Sequence, residues 1–234
     1  MTTAPLQPQP QTASSWPEER DACAIIGMFN TNGRPSHGNV QRSLEGLIKM
    51  GHRAGEIAGE GDGCGILTDI PRQLWQESLQ QLGLAPTLAD NPAFSVGHLL
   101  VPQEILASDD QLLTRIQNLI GQRGCRILLQ RPGQVRSETL SALARSSEPL
   151  FWQLALECPR ENCDSILFEL AVEIEQAFDV HVASLSNQVT AYKVHGAPEL
   201  LTLYYPELKR KEFTSANTIG HSRFSTNTLP MVLR

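Results

Sequence analysis

Residues 23–30 read Cys-Ala-Ile-Ile-Gly-Met-Phe-Asn, and in this short apolar run the chain first has the composition of a protein core. The run is followed by Asn32-Gly33, a dipeptide typical of tight turns. An apolar run of this length that ends at a turn signal predicts a buried strand. Residues 1–22 are instead rich in Pro, Gln, Thr and Ser, and such a segment cannot bury enough surface to offset its ordering entropy. We therefore expect a disordered leader over 1–22 and a folded domain over 23–234.

Helix and strand signals follow one another along the rest of the chain. Ser36 is the predicted N-cap of a helix that ends at Gly51, and the glycine-dense segment after it is predicted to form a loop without helix or strand. Further strands are predicted over 66–70, 94–101, 126–130, 150–157, 181–186, 189–194 and 218–224, and further helices over 71–82, 109–122, 165–178 and from residue 198. Short turns between strands and helices in blocks predict an α+β fold with layered αββα order and largely antiparallel sheets.

The composition excludes several classes of protein. The chain has 234 residues, and 19 basic against 25 acidic side chains give a net charge of −6, which argues against nucleic acid or an anionic membrane as the main partner. No apolar run approaches the roughly 18 residues that span a bilayer. The five cysteines are odd in number and scattered, and Cys158 and Cys163 lack the surroundings of a zinc site, so we expect no metal. Without a secretory signal, we expect a cytoplasmic protein with reduced thiols.

Cys23 lies where the polar leader meets the first predicted strand. If the chain were cut after Ala22, Cys23 would carry a free α-amine, whose pKa near 8 lets it act as a local base for its own thiol. Position alone nevertheless favours the alternative that Cys23 is a small buried hydrophobic residue at the start of a strand.

The segment 219–228, Ile-Gly-His-Ser-Arg-Phe-Ser-Thr-Asn-Thr, places Arg223 at the end of an apolar strand, before four small polar residues. The arginine fork fits a carboxylate, and neighbouring hydroxyl and amide groups can complete a pocket for an amino-acid head group. A structural arginine that donates to backbone carbonyls fits the residues equally well. The glycine-rich segment 59–65 lacks the Gly-Lys-Ser/Thr of a phosphate loop, and Glu60 and Asp62 would repel phosphate, which argues against a nucleotide site.

Four blocks of this sequence together resemble the amino-terminal glutamine amidotransferase domain of glutamate synthase. They are residues 21–55, 61–71 (GDGCGILTDIP), 184–193 (SLSNQVTAYK) and 221–230 (HSRFSTNTLP), and they occur in the order of that family. The family is a class II amidotransferase of the N-terminal-nucleophile hydrolase superfamily, which implies the αββα fold. The interval of 200 residues between the candidate cysteine and arginine favours the glutamate synthase branch.

The resemblance implies a role for each matching residue. Cys23 corresponds to the nucleophile that is exposed by removal of a propeptide, and Arg223 to the residue that binds the α-carboxylate of glutamine. Thr226 and Asn227 fall where the family lines that pocket. The implied reaction is glutamine hydrolysis through a γ-glutamyl thioester, with ammonia passed to a synthase domain or subunit. The flavin and iron–sulfur chemistry of the family belongs to that synthase part, so no cofactor is expected in this chain.

The sequence also departs from the family pattern. The family continues to a His-Asn-Gly segment whose Asn side chain and Gly N–H form the oxyanion hole, whereas this sequence ends at 231–234. We therefore expect a domain that is incomplete at its carboxy end and has little glutaminase activity alone, since loss of one oxyanion donor costs about 10²–10³ in rate. The alternative is a non-catalytic truncated remnant or a subunit that depends on a partner.

Overall fold

The computed structural model of the protein describes residues 24–51, 56–57, 60–61 and 63–222. Its strands are β1 (Ala24–Phe29), β2 (Glu56–Ile57), β3 (Glu60–Gly61), β4 (Cys64–Asp69), β5 (Phe94–Val101), β6 (Arg126–Pro132), β7 (Leu150–Glu157), β8 (His181–Ser186), β9 (Val189–Val194) and β10 (Asn217–Ser222). Its α-helices are α1 (His37–Lys49), α2 (Arg72–Gln81), α3 (Gln103–Ser108), α4 (Leu112–Gln122), α5 (Ala142–Ser146), α6 (Cys163–Phe178) and α7 (Leu200–Tyr204). Short 3₁₀ turns cover Pro86–Asp90, Ser137–Thr139 and Pro206–Lys209.

The first four-stranded sheet has the strand order β1-β10-β4-β9, and every neighbouring pair is antiparallel. Its registers place Ala24 opposite Ser222, Ser222 opposite Cys64, and Cys64 opposite Val194. We call these four residues the end row. The first and last long strands of the described chain are therefore neighbours.

The second four-stranded sheet has the order β6-β7-β5-β8 and is also antiparallel throughout. All eight residues of β5 are buried, because α4 and α6 cover one face of this sheet while the other faces the shared core. The β8–β9 hairpin joins the two sheets, and the backbone N–H of Ala191 donates to Ser184 Oγ across it at 3.0 Å. The observed fold is the expected α+β arrangement of layered antiparallel sheets and helices.

Helix α1 covers the buried face of the first sheet. Its residues Val40, Leu44 and Leu47 recur at helical spacing and pack into the same core as Ile66 of β4. Ser36 is the N-cap, as the sequence predicts, and its Oγ accepts a hydrogen bond from the backbone N–H of Asn39. The helix thereby fixes the face of β1 and β10 that turns inward.

Two expectations from the sequence are wrong. The glycine-dense segment contains the short antiparallel pair β2–β3, with Glu56 opposite Gly61. A two-residue ladder needs backbone hydrogen bonds alone, so it leaves no apolar alternation in the sequence. Cys125 and Cys158 are also not free thiols but form a disulfide. The antiparallel pairing of β6 with β7 brings them together from 33 positions apart, which cysteine spacing alone does not reveal.

No helix among the described residues is long and apolar enough to cross a membrane.

Candidate functional site

The two residues that the sequence singles out flank one register pair of the first sheet. Strand β1 begins at Ala24, directly after Cys23, and β10 ends at Ser222, directly before Arg223. Ala24 and Ser222 face each other across the ladder. The fold therefore brings two points of the chain that are about 200 positions apart in sequence to adjoining ends of neighbouring strands.

Cys23, Arg223, Thr226 and Asn227 themselves lie outside the described residues. Their roles in nucleophilic attack and substrate binding therefore stay predictions. The structure describes the frame that adjoins them, which is the end row and the strands that hold it.

The end row is closed to solvent on its inner face. Ser222 and Cys64 are fully buried, and Ala24 and Val194 are each 2% exposed. The Cys64 thiol donates to the carbonyl of Ala197 at 3.5 Å. Burial, reinforced by the charge of Glu199, raises the pKa of the Cys64 thiol far above its usual range. Cys64 is therefore an unreactive core thiol, although it lies within the sheet end that adjoins the candidate site residues.

A groove runs over the opposite, open face of the same sheet end. It is formed mainly by side chains of β10, β4 and β9, and we call it the sheet groove: Gly65, Leu67, Ala191, Lys193, Ile219 and His221. Gly65 lies between His221 and Lys193 in the ladder. A Cβ atom at Gly65 would lie 2.9 Å from the backbone oxygen of Tyr192, so a side chain here would force the backbone to shift. The glycine keeps the floor of the groove open.

Asp69 fixes the position at which β10 enters the sheet. One of its carboxylate oxygens accepts hydrogen bonds from the backbone N–H of Ala216 at 2.7 Å and of Asn217 at 2.9 Å, and from Ser215 Oγ at 3.1 Å. These bonds set the register of β10 and, through it, the place where the chain leaves the sheet at Ser222. Sequence reasoning missed this residue. An acid at the last position of a strand inside the block 61–71 is the signal that could have pointed to it.

Asn39 couples α1 to the same strand. Its Nδ2 donates to the carbonyl of Ala216 at 3.1 Å, and its Oδ1 accepts from Thr218 Oγ1 at 2.9 Å. Asn39 is 1% exposed, so this buried amide has its polar atoms paired as buried groups require. β10 is thus held from both sides, by a strand-end carboxylate and by a helix amide.

The described part of the chain contains no group of three or more His, Cys, Asp or Glu residues placed to hold a metal ion.

Comparison with known proteins identifies the chain's relatives. The family model for class II glutamine amidotransferases matches residues 23–233. The chain is 31% identical over 232 residues to ferredoxin-dependent glutamate synthase 2 of Synechocystis, which covers 95% of this chain and 15% of that protein. It is 28% identical over 226 residues to the glutamate synthase [NADPH] large chain of Bacillus subtilis, covering 91% of this chain and 14% of that protein.

A plant relative gives the same result. Ferredoxin-dependent glutamate synthase 1, chloroplastic/mitochondrial, of Arabidopsis thaliana is 31% identical over 242 residues, which cover 96% of this chain and 14% of the plant protein. The chain therefore spans about one seventh of the length of these relatives. A family match that begins at residue 23 and includes both candidate residues shows that the chain belongs to the class II glutamine amidotransferases.

Proposed function

We propose that this chain is the glutaminase part of a glutamate synthase-type enzyme, with a leader over 1–22 and an amidotransferase domain over 23–234. It hydrolyses glutamine to glutamate and ammonia, in glutamate biosynthesis. The observation that carries the proposal is the register pair Ala24–Ser222, which joins the strand that follows Cys23 to the strand that precedes Arg223. The family match beginning at residue 23 supports the same boundary.

Cys23 is the nucleophile in this proposal. Removal of residues 1–22 gives it an α-amine, which takes the thiol proton, and the thiolate then attacks the side-chain carbonyl carbon of glutamine. The carbonyl electron pair moves to oxygen and returns as the C–N bond breaks, while the ammonium group gives its proton to the leaving ammonia. The resulting γ-glutamyl thioester is cleaved by water, which releases glutamate and restores the thiol. This half-reaction needs no cofactor, because the nucleophile and its base belong to one residue.

Arg223 binds the α-carboxylate of glutamine in this proposal, with Thr226 and Asn227 lining the pocket around it. A guanidinium group suits this task because it forms two parallel hydrogen bonds to one carboxylate. The ammonia passes to a synthase domain or subunit that uses it to form glutamate. We place the enzyme in the cytoplasm, and cell fractionation with an antibody against residues 24–222 tests that placement.

The nucleophile is tested in the protein that carries this chain. Cys23→Ala is expected to lower glutamine-dependent glutamate release by at least about a thousandfold, as loss of a nucleophile does in other hydrolases. Cys163→Ser is the matched control, because Cys163 is a free cysteine that lies in α6 rather than next to β1, and it should retain turnover. Cys23→Ala should also keep synthesis from added ammonia, since that step bypasses the thioester. Glutamine turnover by Cys23→Ala close to that of the native protein would refute the assignment.

Removal of the leader and the role of Arg223 need separate measurements. Intact-mass analysis of the protein from its own host should find a chain that begins at Cys23, and a chain that begins at Met1 or Thr2 contradicts the proposed processing.

Arg223→Lys keeps the charge but loses the planar fork, so KM for glutamine should rise by about tenfold or more. An unchanged KM would remove Arg223 from the substrate pocket.

A further inference from the structure

Three side chains from three different elements form a continuous line of hydrogen bonds beside the sheet groove. Glu175 of α6 lies 2.9 Å from His181 of β8, between Oε1 and Nδ1. The other ring nitrogen of His181, Nε2, lies 2.9 Å from Lys193 Nζ of β9. The same Glu175 oxygen accepts from the backbone N–H of Val182 at 2.8 Å, which fixes the carboxylate. We call Glu175, His181 and Lys193 the amine relay.

The partners of His181 determine its tautomer. Nδ1 faces a carboxylate, which accepts hydrogen bonds and cannot donate one when ionised, so the ring proton lies on Nδ1. Nε2 therefore presents its lone pair to the amine of Lys193. Burial and the neighbouring Lys193 charge lower the pKa of His181, against an opposing effect of Glu175, and so favour the neutral ring, whose Nε2 lone pair faces the amine. The ring is thus a base held in position against an ammonium group.

Lys193 lies against this base, is partly buried and lines the sheet groove. Burial lowers the pKa of Lys193, and the Glu175 charge opposes that shift in part. Among the described residues, the titratable groups near Lys193 include Glu175 on α6, His181 on β8 and His221 of β10, which lines the same groove. Tyr205 holds the backbone at this position, since its hydroxyl donates to the carbonyl of Lys193 at 2.6 Å. A positioned amine therefore lines an open groove with a glycine floor.

We propose that Lys193 is a carbonyl-reactive amine and that the sheet groove takes a small aldehyde or 2-oxo acid. The ammonium group passes one proton to His181 Nε2, and the free amine attacks the carbonyl carbon and forms a C–N bond. The carbonyl electron pair moves to oxygen, which takes that proton back from the imidazolium, and the now cationic nitrogen gives one of its two protons to His181, which leaves a carbinolamine. Loss of water then leaves an imine on Nζ, and no oxidant or reductant is consumed. This site goes beyond the proposed glutaminase reaction, which uses none of the three residues.

The test measures lysine labelling, so its result is separate from glutamine turnover. The 234-residue chain is incubated with pyruvate or with propanal in the presence of cyanoborohydride, which traps an imine as a stable secondary amine, over a neutral to alkaline pH series. Peptide mapping then gives the rate of labelling at each lysine. Lys49, Lys209 and Lys211 are the exposed internal references. Lys193 should be labelled at least about tenfold faster than these references at neutral pH, because its lowered pKa and the adjacent base give it a larger share of neutral amine.

Two variants and one unfolded control show whether the fast labelling of Lys193 comes from the amine relay or from solvent exposure of the lysine. His181→Gln keeps a hydrogen-bonding group beside Lys193 but has no basic nitrogen, so the rate advantage of Lys193 should disappear. Glu175→Gln should reduce the advantage in part, and the unfolded chain in denaturant should label all four lysines at similar rates. A larger advantage with pyruvate than with propanal would assign a 2-oxo acid, and an equal advantage would assign carbonyl compounds in general. Native Lys193 labelled no faster than Lys209, or His181→Gln with the full advantage, would overturn the proposal.

Discussion

The two sheets differ in how they treat their two faces. In the second sheet, β5 is buried along its whole length, and residues of β5 and β7 contribute to three separate core clusters. In the first sheet, one face packs under α1, whereas the other leaves Ile25 68%, Phe29 62% and Ile219 44% exposed. A sheet that is covered on both faces stabilises the fold, but neither of its faces is accessible to a ligand. The chemistry of this molecule is therefore expected on the half-covered sheet, which holds the groove and the two strands that adjoin the proposed nucleophile and the proposed arginine.

A matched pair of phenylalanines tests that difference most strongly. Phe151 of β7 is 2% exposed, with its ring 4.9 Å from that of His98 between centroids, and Phe29 of β1 lies on the open face. Phe151→Ala should cost about 3–5 kcal/mol of unfolding free energy, because it leaves a cavity in the core. Phe29→Ala should cost less than about 1 kcal/mol. Urea unfolding of the two variants measures both values, and equal losses would mean that the open face is packed as tightly as the core.

The disulfide gives the second sheet a further constraint that the first sheet lacks among the described residues. Cys125 and Cys158 flank the register pair Arg126–Glu157, so their bond closes the β6–β7 end of the sheet. Its sequence separation of 33 predicts a loss of about 3–4 kcal/mol on reduction, from the entropy that the unfolded chain regains. Thermal unfolding with and without a reductant measures the loss.

A double variant supplies the control for that measurement. Cys125→Ala with Cys158→Ala should unfold at a lower temperature than the native chain, and added reductant should not lower it further. A native chain whose unfolding temperature does not respond to the reductant would show that the two sulfurs are thiols under those conditions.

Local sequence signals predicted the strands better than they predicted what the strands bring together. The bounds of β5, β7, β8 and β9 agree with the predicted ranges, because each is a β-rich or apolar run between turn or helix signals. The amine relay was not predictable, since its three residues come from a helix and two strands whose relative placement depends on sheet order. Sequence spacing carries no information on such contacts.

The candidate site shows the same division. The resemblance predicted Cys23 and Arg223 as one site, and the register pair Ala24–Ser222 confirms that the strands adjoining them are neighbours. The residues alone left both the catalytic and the structural interpretations open, because no local rule pairs strands nearly 200 positions apart. Asp69, which sets the register of β10, was missed because a single acid at a strand end resembles any surface carboxylate.

The free energy of unfolding should depend more strongly on pH through a histidine in the closed core between the sheets than through a histidine beside the open groove. Burial lowers the pKa of His98 from 6.5 to about 4. As the pH falls, the unfolded chain therefore binds a proton at His98 near pH 6.5, whereas the folded chain binds it only near pH 4. Stability should therefore fall as the pH drops through this window, by about 3 kcal/mol from His98 alone. His98→Gln should remove most of that slope, whatever its effect on stability at neutral pH. His181→Gln is the matched control and should change the slope less, because His181 is only partly buried.

The smallest expected effect concerns the polar contacts of Asp69 that hold β10 in the first sheet. Asp69→Ala removes the acceptor for the backbone N–H groups of Ala216 and Asn217. Asn217 is exposed and its N–H can bond to water, whereas Ala216 is 4% exposed and loses its partner. We expect a loss of about 2 kcal/mol, the cost of one buried unpaired donor with the loss of a charge-assisted bond. Asp69→Asn keeps one acceptor oxygen and should lose about half as much.

Hydrogen exchange at Ala216 should accelerate in Asp69→Ala while exchange in β5 stays unchanged. Faster exchange in both sheets would show that the two sheets open together and that the first has no separate anchor.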